Sequence, residues 1–482
     1  MSLRREALAG VKWTTLTSAG TAGAQLFQLL VLARLLRPDD FGLMGMVLLV
    51  IGFAQAYADA GIGAALVHRQ TASREQLSSL YWLGLVLGLV ICLLLWLGGP
   101  LLAGFFREPR LVPVLRVVSL VFLILPFGKQ FELLLQRDLR FDLLAGQELA
   151  ATVAGALAAA AAAVAGAGVW ALVTGTIVAA AVKTAWLCWI GFREHRPALH
   201  FHRRDLEGFV QFGAYQMGER TVNYVAERLD QILIGRLLGT QTLGYYNFAF
   251  NLTTQPVSRV NPIVTKVAFP VFSRVQDDPN RLRRGYLTVV RLVASVNAPL
   301  LFGLVAVGPS LVPIVFGDKW RESILLVQIL ALVALGRSIG NPTGSLLLAR
   351  GRADLGFHWN VGLLLLTLPC LWGGAVLGGA PGAALALLAV QIILGAAAYF
   401  VLVRPVTEPC GREYALSVLG PLTLAAVMAL GIIGIREAFT EPLSTLDLSA
   451  LILAGGAAYV ALLWAFQRGT FRDLSAALLG DR

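Results

Sequence analysis

Fourteen apolar runs, each long enough to cross a bilayer and separated by short charged or Gly/Pro-rich interruptions, leave this chain few folds to choose from. A hydrocarbon layer about 30 Å thick needs roughly 20 helical residues per crossing, and a backbone inside it must satisfy its own hydrogen bonds. The runs fall near 11–36, 41–66, 77–104, 111–136, 141–166, 168–190, 207–236, 242–267, 285–316, 321–349, 355–378, 382–403, 414–434 and 446–467. Only 14% of the 482 residues are charged, where soluble domains carry roughly a quarter. The expected fold class is therefore an all-α integral membrane protein. Arg4, Arg5 and Lys12 precede the first run, which continues through LFQLLVLARLL and reads as a signal anchor. Cys92, Cys188, Cys370 and Cys410 share no CxxC spacing, so neither a disulfide framework nor a zinc site is indicated.

Basic residues divide unevenly between alternate connections. One set of connections, including both ends of the chain, holds 23 Lys and Arg; the other holds only Arg37, Arg107, Arg110, Lys319, Arg321 and Arg436. Because basic residues in short loops stay on the cytoplasmic side, this predicts an even number of spans with both termini in the cytoplasm. It also accounts for most of the +11 net charge as topology and contact with anionic lipid, without any need for nucleic acid.

The chain repeats itself. RLLRPDDFGLMG, from Arg34 to Gly45, returns 202 positions later as RLLGTQTLGYYN, from Arg236 to Asn247. In the first segment Thr14, Ser18, Thr21, Gln25 and Gln28 form one helical stripe, and the same offset lands on Gln216, Arg220, Asn223, Glu227 and Asp230. LLLQR at 133–137 recurs as LLLAR at 346–350. The expectation is two six-helix units running the same way through the membrane, 1–205 and 206–405, with 406–482 as two additional helices outside the duplication.

Charge inside the spans is the main chemical signal. Ten basic residues lie there, accompanied by Asp59, Glu132, Glu148, Glu219, Glu227 and Asp230. Each centrally placed charge costs about 2.5–3.5 kcal/mol against lipid, so most must line protein or water. Arg34, Arg116, Arg236 and Arg291 lie near segment ends, where snorkelling toward headgroups explains them without any site. Lys129, Lys183, Arg220, Arg228, Arg259 and Arg337 lie deeper. Asn247, Asn251, Thr254, Ser258 and Asn261 form a further stripe, for which interhelical hydrogen bonding is the plain alternative. The functional reading is a hydrated, cation-rich cavity between the halves for an anionic solute, with Pro256, Pro262 and other span prolines allowing helices to bend. HRPALHFHRR carries His195, His200 and His202 in a basic loop without acidic or cysteine partners, which fits a lipid-facing loop better than a metal tract.

The segments RLLRPDDFGLMGMVLLVIGFAQAYADAGIGAALVHR and YVAERLDQILIGRLLGTQTLGYYNFAFNLTTQPVSRVNPIVTKVAFPVFSRVQDD, with the paired LLLQRDLRF and LLLARGR, resemble the polysaccharide flippase branch of the multidrug/oligosaccharidyl-lipid/polysaccharide (MOP) superfamily, of the colanic-acid exporter type. The resemblance implies two six-helix lobes in a V, alternating access, and transfer of an undecaprenyl-pyrophosphate-linked oligosaccharide from the inner to the outer leaflet of a bacterial inner membrane. A polymerase and glycosyltransferases are its implied partners, with membrane lipids. No enzymatic activity and no cofactor are expected; H+ or Na+ coupling stays open.

The family carries no universal signature to transfer, so candidate residues come from the stripes. Lys129, Arg220, Arg228, Arg259 and Arg337 would attract pyrophosphate or acidic sugars, and Asn223, Asn251 and Asn261 would bond sugar hydroxyls. Asp59, Glu227 and Asp230 would pair those cations or couple an ion. One rival is a MOP-type drug/cation antiporter, expected to prefer an acidic cavity. Another is a membrane-embedded glycan polymerase or ligase, which needs a sizeable extracytoplasmic loop.

Overall fold

The computed structural model describes residues 3–58, 73–202, 209–439 and 443–472, and every regular element among them is helical. In order these are α1 (Leu3–Leu35), α2 (Pro38–Ala58), α3 (Arg74–Phe106), α4 (Leu111–Val118), α5 (Val121–Arg137), α6 (Phe141–Val164), α7 (Val169–Glu194), α8 (Phe209–Arg274), α9 (Pro279–Leu311), α10 (Ile324–Ala349), α11 (Ala353–Ala398), α12 (Gly411–Ala438) and α13 (Thr445–Phe466).

Helix ends follow local chemistry. Ser73 and Gln76 cap α3 reciprocally, each side chain accepting the other's backbone N–H at 3.1 Å. Asp278 accepts from the N–H groups of Asn280 and Arg281 to open α9, with Pro279 in its first turn. Two long helices are broken internally by glycine: α8 at Gly239 (φ 83°, ψ −178°) and α11 at Gly378 and Gly379 (φ 61°, ψ −148° at the second). A residue with a side chain rarely adopts these positive φ values, so each helix consists of two arms. When each arm counts as one segment, and α4 with α5 as another, the described helices give fourteen segments; ten helices among the described residues are long and apolar enough to cross a membrane. The breaks fall between the sequence-predicted segments ending at 236 and 378 and those starting at 242 and 382.

By internal packing the chain forms two compact units, Met1–Gly244 and Tyr245–Arg482. In the first, α6 packs against α7 and α1, and α5 against α7. In the second, α9 is central and packs on α10 and α12, with α13 beside α12. Its core joins Phe272, Tyr286, Val290, Ala294 and Leu301 to Leu346, Val403 and Met428. The first arm of α8 and the beginning of the second thus pack with the first unit, although the sequence repeat starts its second copy at α8.

Candidate functional site

The first unit carries a charge cluster inside its spans. Glu132 on α5 lies 3.2 Å from Lys183 Nζ on α7 and 3.6 Å from Lys129 Nζ one turn away, and Lys183 is also 3.8 Å from Glu148 on α6. Two cations and two anions thus bind three helices and neutralise one another, as charges in a spanning segment must. Lys129 remains 40% exposed at its side chain, so it also faces the unit's exterior.

The first arm of α8 continues the predicted stripe. Asn223 and Glu227 are exposed. Arg228 donates to Gln231 Oε1 at 3.4 Å, and Asp230, 3% exposed, accepts the Gln231 backbone N–H at 2.8 Å. Asp59 and the side chains of Arg220 and Arg259 lie outside the described residues.

In the second unit Asn251 is exposed on α8 and Arg337 on α10, where Asn341, one turn on, is exposed too. Asn261 is buried. Its amide oxygen accepts from Asn297 Nδ2 at 3.2 Å and Ser338 Oγ at 3.0 Å, so its amide joins α8, α9 and α10. The oxygen of Asn297 is itself buried without a partner among the described residues. The helical period placed Asn251 and Asn261 on one stripe, but their surroundings differ because neighbouring helices cover only part of it.

A further cluster went unassigned in the sequence reading. At the Lys/Arg-poor end of the first unit, Arg110 donates to Glu108 through Nε (2.8 Å) and Nη2 (2.9 Å), to Asp39 Oδ2 through Nη1 (2.6 Å) and to Thr240 Oγ1 (3.4 Å). Thr240 in turn donates to Asp39. The paired bonds to Glu108 hold its carboxyl below the usual carboxylate range and push the guanidinium further up.

Beneath this tie α2 crosses the second arm of α8. A Cβ on Gly42 would lie 1.7 Å from the Thr240 carbonyl oxygen, and one on Gly244 would lie 1.9 Å from the Pro38 oxygen. These glycines are 202 positions apart and each meets the other copy's helix start. The repeated motif therefore preserves a backbone crossing, which only glycine permits. The signal was present in the sequence as the aligned glycines of FGLMG and LGYYN.

The family described as polysaccharide biosynthesis protein matches residues 31–325, which include both copies of that motif. The chain belongs to this family. Among proteins of polysaccharide biosynthesis, lipopolysaccharide biosynthesis protein WzxC of Escherichia coli (strain K12) is 36% identical over 442 residues, covering 90% of this chain and 89% of its own. Teichuronic acid biosynthesis protein TuaB of Bacillus subtilis (strain 168) is 36% identical over 366 residues, 76% of each chain. Among solved structures, the lipid II flippase MurJ in an inward closed conformation superposes with a TM-score of 0.75 at 15% identity, covering 94% of this chain and 99% of its own. An inward-facing multidrug resistance MATE family transporter of the MOP superfamily gives 0.65 at 13% identity, covering 80% and 94%. This member of the polysaccharide biosynthesis family thus has the fold of MOP transporters.

Proposed function

We propose that the chain is a flippase for lipid-linked oligosaccharides, moving undecaprenyl-pyrophosphate-linked repeat units from the inner to the outer leaflet of the bacterial inner membrane. The observation that carries this reading is likeness over nine-tenths of the chain to a lipopolysaccharide biosynthesis protein, on a transporter fold. The function is transport, not catalysis.

The polar residues inside the spans fit a large, hydrated, anionic headgroup. Lys129, Arg228 and Arg337, with Arg220 and Arg259, attract the diphosphate or acidic sugars. Asn223 and Asn251 hydrogen-bond sugar hydroxyls, while Asn261 holds its helix in place from inside the second unit. Asp59, Glu227 and Asp230 balance those cations or couple H+ or Na+. Both termini lie in the cytoplasm, as the basic connections require. The duplicated parts 1–205 and 206–405 supply the transport frame, with 406–482 added to it. Glycosyltransferases deliver the substrate and a polymerase consumes it.

The drug/cation antiporter shares the fold, but basic residues outnumber acidic ones inside the spans, which suits an anion better. Cells lacking the protein should accumulate lipid-linked oligosaccharide on the inner leaflet and lose surface polymer. Restoring the wild type should reverse both defects. Arg220→Ala or Arg259→Ala should insert normally yet abolish export, and wild-type export from both variants would remove the cavity assignment.

A further inference from the structure

In the first unit, three aromatic rings gather where α2 meets the first arm of α8. On α2, Phe53 and Tyr57 stand one turn apart with ring centroids 5.4 Å from each other. On the first arm of α8, the Tyr224 ring lies edge-on to Phe53 at 6.4 Å. Phe53 is 39% and Tyr57 38% exposed.

Tyr224 is held firmly. Its hydroxyl donates to the Leu49 carbonyl at 3.0 Å, and the ring lies over Gly52, where a Cβ would fall 2.3 Å from the hydroxyl oxygen. At 1.5 Å per residue, Phe53 is about 22 Å along α2 from Pro38, and Tyr224 about 21 Å along its arm from Leu238. Both therefore sit near the same depth.

Asn223 adjoins Tyr224 in sequence, and Glu227 is one turn further on; both are exposed. A carboxylate and an amide open to the exterior of a spanning helix need water or a polar ligand beside them, so this patch is wetted rather than coated by acyl chains.

We infer that Phe53, Tyr57 and Tyr224 form a stacking platform for a sugar ring of the transported glycolipid, with Asn223 and Glu227 bonding its hydroxyls. The inference rests on the flippase reading and adds to it where the sugar sits. The faces of these rings are electron-rich, and a pyranose presents on its flatter side a set of C–H bonds carrying slight positive charge. Its hydroxyls project around the rim. An aromatic surface with an exposed amide and an exposed carboxylate on the same helix arm as Tyr224 matches that pattern in both parts. A bare diphosphate matches neither, because Glu227 repels it and the rings offer it no donor. An acyl chain would accept the rings but strip water from Asn223 and Glu227. An organic cation would suit the rings and Glu227, yet Arg228 next along the chain offsets that carboxylate.

The test uses full-length protein in nanodiscs and two probes: undecaprenyl diphosphate alone, and undecaprenyl diphosphate carrying one glucose. Phe53→Ala and Tyr57→Ala should each weaken binding of the glucosylated lipid roughly five- to tenfold and leave the bare lipid within about twofold. Phe53→Tyr, which keeps a ring, should restore glucosylated-lipid binding. Parallel loss of both probes, or no loss of either, overturns the platform, as does tetraphenylphosphonium displacing the glucosylated lipid through these same rings. Wild-type protein that binds neither lipid overturns the flippase reading itself, and the platform's ligand with it.

Discussion

The two repeats fasten equivalent helices in different ways. After α3, four residues (107–110) lead into α4; after α9, a helix of the same 33-residue length, twelve residues (312–323) lead into α10. The short connection is closed by ions, with Arg110 joining Glu108, Asp39 and Thr240 while its own side chain stays 55% exposed. The long one winds through a π turn and a 3-10 turn around Trp320, which is fully buried, stacks on Phe248 at 4.3 Å and meets Tyr245 edge-on at 6.1 Å. Exposed ion pairs exchange readily with water and are worth about 0–1 kcal/mol. A buried indole leaves its seat only by exposing a large apolar area. The first connection is thus expected to open and reclose more readily than the second.

The largest effect is expected where the ionic connection is rooted. Gly42→Val or Gly244→Val places carbon inside a backbone carbonyl that cannot turn aside, so the cost exceeds the roughly 1–3 kcal/mol typical of an overpacked site and the two helices are forced apart. Little folded protein should be recovered in detergent, as judged by monodisperse elution and melting. Trp320→Ala comes next, at about 3–5 kcal/mol for a buried aromatic, read as a lowered melting temperature. Trp320→Phe should recover part of it. If Trp320→Ala melts like wild type, the aromatic connection is not the fixed one.

The spans were legible because hydrocarbon thickness sets their length and hydropathy marks their ends. Even the breaks within α8 and α11 showed, as Gly239 and Gly378–Gly379 interrupt the apolar runs where the chain turns. The ionic connection was not legible. Arg110 meets Asp39 across 71 positions and Thr240 across 130, and no helical period joins three separate elements. The candidate site was half legible. Periodicity gathered Asn251 and Asn261 onto a stripe, but only packing against Asn297 and Ser338 decides that one is buried and the other open. Tyr224 was passed over because tyrosine in an apolar segment carries no charge to draw notice. Its seat on Gly52 comes from helix packing alone.

A smaller effect separates gating from stability. Arg110→Ala removes a largely exposed guanidinium, so stability should fall by about 1 kcal/mol or less, whereas export should fall clearly. That is the reverse of Trp320→Ala, whose remaining folded fraction should export normally. Raising salt from 0.05 to 0.5 M should reproduce part of the Arg110→Ala defect in wild type and nothing in Trp320→Ala beyond that, because screening reaches exposed charges and not stacked rings. Arg110→Ala exporting like wild type would leave the ionic connection a static fastening.

The smallest effect is in pH, and its sign is fixed. Arg110 holds the Glu108 carboxyl below its ordinary value of 4.5, chiefly by donating hydrogen bonds to the ionised form. A depressed carboxylate contributes stability that is fully present above the unfolded value and is lost as pH falls through the lower folded one. Wild type and Glu108→Gln should therefore differ in melting temperature by a constant amount from pH 7 to pH 5. The difference should close only below about pH 4.5, as protonation makes the wild-type side chain resemble the amide. Trp320 carries no titrating group, so Trp320→Ala should run parallel to wild type down to pH 5. No Glu108→Gln difference at pH 7 would show that Arg110 binds the loop through Asp39 and Thr240 alone. The contrast between the two connections would then rest on one carboxylate rather than two.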